Sequence, residues 1–162
     1  GARAACCRTM SDETRERILA YLAAHNTLTL ATAHEGKPWA NAVFYATDGF
    51  TIYFVSDPKT RHANHLKENT NIAGTIQDEQ KDWRLIQGIQ LEGRCEEITN
   101  PLESAKALAI YAAKFPFIGN LIHAPKEIVS AMAKARWHKI TLTWIRLIDN
   151  TRGMGLKEEI RF

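Results

Sequence analysis

The stretch Thr27–Asp57, "TLTLATAHEGKPWANAVFYATDGFTIYFVSD", decides the fold. Leu28 and Leu30 alternate with threonines, the period-two pattern of a strand with one buried face. "HEGKP" reads as a turn built on Gly36 and Pro38. "WANAVFYAT" is a second strand. Asp48-Gly49 follows as a strong hairpin signal, because glycine accepts the positive φ that a two-residue turn requires. "FTIYFVS" is the third strand. Connections this short exclude parallel neighbours, which need crossovers of about a dozen residues or more.

Upstream, Ser11, Asp12 and Glu13 offer a cap and acids for a helix start, and Ile18, Leu19 and Leu22 recur at helical spacing up to "HN" at 25–26. Downstream, Thr60–Asn69 suits a short helix and "NIAGTIQ" a fourth strand. "RLIQGIQLEGRCEEI" is a long fifth strand, with Gly88 and Gly93 marking bulges or close backbone approach. Asn100-Pro101 is an N-cap followed by proline at the first helical position. Leu102, Ala105, Ala109 and Ala112 form the expected apolar stripe of that helix. Pro116 and Gly119 break it, and Pro125 starts another helix to about Ala135. "HKITLTWIRLID" is the sixth strand, and "NTRGMGLKEEIRF" is a tail. The expected fold is mainly β with helices: a six-stranded antiparallel sheet closed into a barrel, its ends covered by helices.

The chain has 162 residues, which suits one domain with a substantial core. Residues 1–10 read as a disordered leader and 11–162 as the domain. The net charge of +3, from 21 basic and 18 acidic residues, is too small to argue for nucleic acid, and no block is strongly basic. No apolar run approaches the roughly 20 residues of a membrane span, and the opening "GARAACCRTM" lacks the apolar run of a signal peptide. Cys6, Cys7 and Cys95 match neither a disulfide framework nor a zinc pattern, so a reducing cytoplasm is the expected location.

Chemistry concentrates in "VSDPKTRHANHL", Val55–Leu66, where a strand ends and a Lys, an Arg and two His crowd a helix start. Backbone N–H groups there favour an anion. Thr60 donates a hydroxyl, Arg61 a planar fork, Lys59 a point charge and His62 a further donor. On residues alone this is either an anion cradle or a capped polar turn. His62 and His65 share a helix face, but no third metal ligand is fixed nearby, so no metal is expected. Trp83 and Gln87 at one strand start, and Trp144, Arg146, Asn150 and Arg152 at another strand end, add aromatic and polar groups. Walker, Rossmann, G-x-S-x-G and H-E-x-x-H motifs are absent from the sequence.

The run Thr27–Asp57, then "KTRHANHLKENTNIAGTI", then "IQLEGRCEEI", resembles the pyridoxamine-5′-phosphate-oxidase-like, FMN-binding split-barrel proteins over about Thr27–Asp149. The tail "RLIDNTRGMGLKEE" is similar to an uncharacterised bacterial branch of that family. The resemblance implies a homodimer with two FMN sites at the subunit interface. It places Thr60, Arg61 and His62 on the family's phosphate-binding Ser/Arg/Lys triplet. The strand of Asn41, Ala42, Val43, Phe44 and Tyr45 falls where backbone groups meet the flavin ring. Gln87 lies one position from a flavin-contacting Gln, and Trp144 and Asn150 lie near positions that close the site from the other subunit.

The departures from that pattern matter too. Arg146 remains from the Arg and His that the oxidase presents to its substrate, but Ile148 stands at the second position. Asn150 replaces a later Arg, and His62 replaces a Lys. These argue against a pyridoxamine phosphate oxidase and for an FMN-dependent oxidoreductase acting on another small molecule. The alternative is a non-catalytic module of the same fold binding flavin, deazaflavin F420 or haem. No side chain is required as acid or base; Tyr45 and His62 are the nearest candidates.

Overall fold

The computed structural model describes residues 10–162. The expected leader, with Cys6 and Cys7, therefore lies outside the described residues, and Met10 opens the first helix. Helix α1 (Met10–Ala24) leads into β1 (Thr27–His34), β2 (Lys37–Phe44), β3 (Ala46–Asp48) and β4 (Thr51–Ser56). Helix α2 (Arg61–Glu68) precedes β5 (Asn71–Gln77) and β6 (Gln87–Glu97). Helices α3 (Pro101–Lys114), α4 (Pro116–Gly119) and α5 (Lys126–Lys134) come before β7 (Arg136–Asp149) and β8 (Lys157–Arg161).

Every strand pair is antiparallel, in the order β2-β1-β5-β6-β7-β4-β3, with β8 also on β7. β7 pairs with β6 along one edge; its other edge is shared between β4 and β8. The sheet curls so that its inward side chains, among them Leu28, Leu30, Phe54, Ile89, Leu91, Ile140 and Ile145, form one buried core. Ile18 and Leu22 of α1 fill one end. Helices α3 to α5 pack outside β3, β4 and β7, through Tyr111, Phe115 and Ile118 against Ala46, Val55 and Trp137. The curl stops short of closure: β2 and β4 approach one another without pairing, which makes this a split barrel.

The turns follow their residues. Glu35 and Gly36 both take positive φ (50° and 75°) in the β1–β2 hairpin, and Gly49 (57°) opens the β3–β4 hairpin. Pro38 lies within edge strand β2, opposite Ala33, and not in the turn. At Gly93 the β6–β7 register slips by one residue. The extra residue, Thr143, has its carbonyl captured by the Phe162 N–H at 3.1 Å.

Three expectations are corrected. The second strand is two: the pairing with β1 ends at Tyr45, whose N–H makes a last bond in register to the Asn26 carbonyl at 3.0 Å, and the chain goes on to pair with β4. The buried stripe of α3 is Ala107 and Tyr111, with Phe115 beyond; Leu102 is 83% exposed, since the large Tyr111 and Phe115 rings bury more apolar area than the alanines opposite. The tail holds an eighth strand. Ile160 packs on the core, and Glu158 accepts from Thr14 (2.6 Å), from Arg17 (2.5 Å) and from Arg152. Its alternating charges satisfy a cluster around Glu158 and do not face solvent throughout.

A Cβ at Gly93 would stand 2.4 Å from the Thr141 carbonyl oxygen, a backbone atom that cannot step aside. Gly93→Ala is expected to lower unfolding free energy by about 1–3 kcal/mol, read as a lower urea midpoint. An unchanged midpoint would show that the bulge relaxes at no cost.

Candidate functional site

The segment from β4 to α2 is built to turn sharply. Asp57 Oδ1 accepts from the Lys59 N–H at 2.8 Å, and the Asp57 carbonyl accepts from the Thr60 N–H at 3.1 Å and the Thr60 hydroxyl at 2.8 Å. Thr60 caps α2 by accepting from the Ala63 N–H at 3.3 Å. The first turn of α2 carries no acid, so the partial positive charge of its N-terminus is not offset by the helix itself.

Arg61 and His62 then part company, because neighbours lie about 100° apart around a helix. Arg61 turns outward onto β2, its guanidinium 4.4 Å from the centre of the Trp39 ring. His62 turns inward and is buried. Its Nε2 lies 2.5 Å from Ser56 Oγ and 3.3 Å from Thr60 Oγ1, and its ring faces Phe54. Burial, with His138 and His65 nearby, lowers the His62 pKa, so the ring is uncharged at neutral pH. It orders two hydroxyls and brings no cation to the turn. Behind it His138 stacks on Phe54 (centroids 5.0 Å apart) and donates from Nδ1 to the Arg136 carbonyl; burial lowers its pKa as well. His65 pairs with the Thr32 hydroxyl at 3.1 Å. Among the described residues, no three His, Cys, Asp or Glu converge as a metal site would need.

A seam runs from this turn along the split. Among the described residues, β2 pairs only with β1, and β4 pairs with β3 only through Thr51–Tyr53, leaving Phe54–Ser56 free on that side. The backbone donors and acceptors of both edges are therefore available. Asn41 lies opposite Leu30 and so faces inward, two residues along the strand from Trp39. Its Oδ1 is buried and accepts no hydrogen bond from the described residues. The seam thus offers a guanidinium at Arg61, a flat wall at Trp39 and an unsatisfied acceptor at Asn41.

The side chains of the other sequence-nominated residues are held as follows. Val43 is half-buried against the core, while Ala42 and Phe44 alternate to the exposed side of β2. Tyr45 is fully buried, and its hydroxyl donates to the Leu22 carbonyl at 2.7 Å. Burial pushes that phenol well up, which removes it as an acid or base near neutral pH. Gln87 donates to Asp149 Oδ1 at 3.0 Å. Asn150 donates to the Trp83 carbonyl at 2.8 Å and accepts from the Gly155 N–H at 2.9 Å. Trp144 donates to Glu159 at 3.2 Å and lies beside Arg146, which forks onto Gln90. The structure brings together Thr60, Arg61 and His62, and adds Ser56 and Trp39, which the sequence reading missed. Ser56 had a signal, being the last strand residue before the turn. Trp39 had only its same-face spacing from Asn41.

The family model for pyridoxamine 5′-phosphate oxidase matches residues 14–149. The chain belongs to this family. The UPF0306 protein YhbP of Escherichia fergusonii is 31% identical over 147 residues, covering 90% of this chain and 91% of that one. Among solved structures, a heme binding protein from Mycobacterium smegmatis superposes with TM-score 0.72 at 21% identity, over 96% of this chain and 60% of that one. A FAD-binding protein from Mesorhizobium loti superposes with TM-score 0.62 at 16% identity, over 79% and 88%. At such identities the two structures establish the shared split-barrel fold.

The buried imidazoles set a pH dependence. Both His62 and His138 titrate below the ordinary histidine value of about 6.5 when folded, so the unfolded chain takes up protons first on acidification. Stability is therefore complete above that value and falls as pH drops through the lowered folded values. Urea midpoints should decline from pH 7 to pH 5, and His62→Gln should make that decline shallower. Equal slopes in the two proteins would mean that His62 is not buried as a neutral ring.

Proposed function

We propose that the seam between β2 and β4 holds FMN and that the protein is a flavin-dependent oxidoreductase acting on a small molecule. The observation that carries this reading is Asn41 Oδ1, a buried acceptor with no donor among the described residues, on the inward face of a strand whose outer edge is unpaired. An isoalloxazine ring has one ring N–H flanked by carbonyls, which suits an orphan acceptor beside open backbone groups. Haem presents no such N–H at its edge, so the same atom favours a flavin or deazaflavin over haem. Arg61 supplies the fork for a phosphate at the start of α2, on a turn that Thr60 caps and that Ser56 and His62 brace.

FMN, when bound, supplies hydride or electron transfer. The chain's own residues bind and orient. Arg61, resting on Trp39, is pre-positioned, and neither Tyr45 nor His62 is placed to move a proton to a substrate. Ile148, where the resemblance expects a substrate-facing His, supports a substrate other than pyridoxamine phosphate.

A homodimer is part of the same reading. The outer faces of β1 and β5 present small side chains, Thr29, Ala31, Ala73 and Thr75, beside Trp144 and Arg146. That surface suits a flat partner, and a second copy would bring its Trp144 toward the first copy's seam.

Titrating FMN into the protein should quench flavin fluorescence and raise the Tm. Arg61→Ala should weaken FMN by about 10- to 100-fold, the worth of a charge-assisted hydrogen bond, and Asn41→Leu should weaken it at unchanged Tm of the unliganded fold. Absence of both quenching and thermal shift would end the flavin reading. Mass spectrometry of ligand released from native protein separates FMN from F420 and haem.

A further inference from the structure

At the opposite end of β2 from Trp39, three phenylalanines gather. Phe44 lies 5.5 Å from Phe115 and 6.3 Å from Phe117, and Phe115 and Phe117 are 5.8 Å apart, all in tilted contact. Phe44 and Phe117 remain about half exposed, at 53% and 52%. Beside them ends α3, with Lys114. Its ammonium lies 4.2 Å from the centre of the Tyr45 ring and 5.6 Å from that of Phe115, and donates to the His25 carbonyl.

Lys114 differs from other lysines of the molecule. Lys106 pairs with Asp48 at 2.8 Å and Lys139 with Glu103 at 2.7 Å. Lys114 has no carboxylate within ion-pair distance among the described residues. Asp78, beside His25, is engaged by that ring at 3.1 Å. One carbonyl and the faces of two rings do not neutralise a half-buried cation, and burial lowers the amine to about 8. Two of its three N–H donors are left for another acceptor.

We propose that this corner binds a small aromatic carboxylate, its ring against Phe44 and Phe117 and its carboxylate on the Lys114 ammonium. The exposed rings call for an aromatic body, which they meet edge-on or offset. The single uncompensated cation calls for a single negative charge. A dianion such as a phosphate ester would want the forked donors found at the other end of β2. The site is built from α3, α4 and the end of β2, and it does not depend on bound FMN.

The test is calorimetric titration of 2-naphthoate into protein without FMN. Saturable one-to-one binding is expected. Lys114→Met, which keeps the aliphatic stem over Tyr45, should weaken it at least about tenfold, the loss of a charged hydrogen bond. Phe117→Ala should weaken it as well, and Lys106→Met, on the same helix, should not. Neutral 2-naphthylmethanol should bind at least about tenfold more weakly than 2-naphthoate. Absence of binding by folded protein, equal binding of the alcohol, or full binding by Lys114→Met overturns the proposal. So does a Phe117→Ala protein that changes its sedimentation but still binds 2-naphthoate normally, which would make the rings an interface between copies. With no FMN present, failure here leaves the flavin reading standing, and failure of FMN binding leaves this test intact.

Discussion

Tyr45 is the point on which the architecture turns. Its N–H is held by the Asn26 carbonyl and its hydroxyl by the Leu22 carbonyl, so one residue is tied at both ends to the α1–β1 connection. A strand that continued straight from β2 would run past the start of β1 and leave β4 with no neighbour on its outer side. Turned at Tyr45, the chain crosses to pair with β4 as β3. The barrel is then held together by chain connectivity where hydrogen bonds between strands are missing. The seam is the geometric remainder of that crossing. Everything read as a site borders it or lies at one of the two ends of β2.

The seam explains how a fold with a conventional core keeps polar groups near its interior. Elsewhere the inward faces of the barrel are mainly aliphatic. Along the seam the pairing is unfinished, and the nearby polar side chains fall into two kinds. His62, His65, Ser56, Thr60 and Thr32 satisfy one another and brace α2 against the sheet. Asn41 Oδ1 finds no partner among the described residues. The braced group gives rigidity, and the unbraced atom is where a ligand has something to gain.

Much of the fold was legible because period-two alternation and turn chemistry are local. Leu28 and Leu30, the Asp48-Gly49 hairpin and the Asn100 cap behave as their neighbours in sequence dictate. The break at Tyr45 was not legible, since no Gly or Pro marks it and its cause lies about twenty residues upstream. β8 was hidden because Glu158 and Arg161 read as a solvated tail, whereas Glu158 is drawn in by Arg17 and Arg152. At the site, Thr60 and Arg61 follow from helix-capping chemistry, but the inward turn of His62 depends on where the sheet lies. Trp39 was missed because only the folded contact with Arg61 connects them.

The seam has a cost. Two strand edges with unspent backbone donors and acceptors are also an invitation to an incoming strand from a neighbouring molecule. The start of β2 answers this with composition. Lys37 places a charge on the edge, and Pro38 removes a donor and stiffens the chain where an intruding strand would first zip up. Between Trp39 and Phe44 no such guard exists, and the residues are apolar apart from Asn41. Occupation of that interval by a small molecule would therefore serve solubility as much as chemistry, by closing the stretch of edge most open to intermolecular β-pairing.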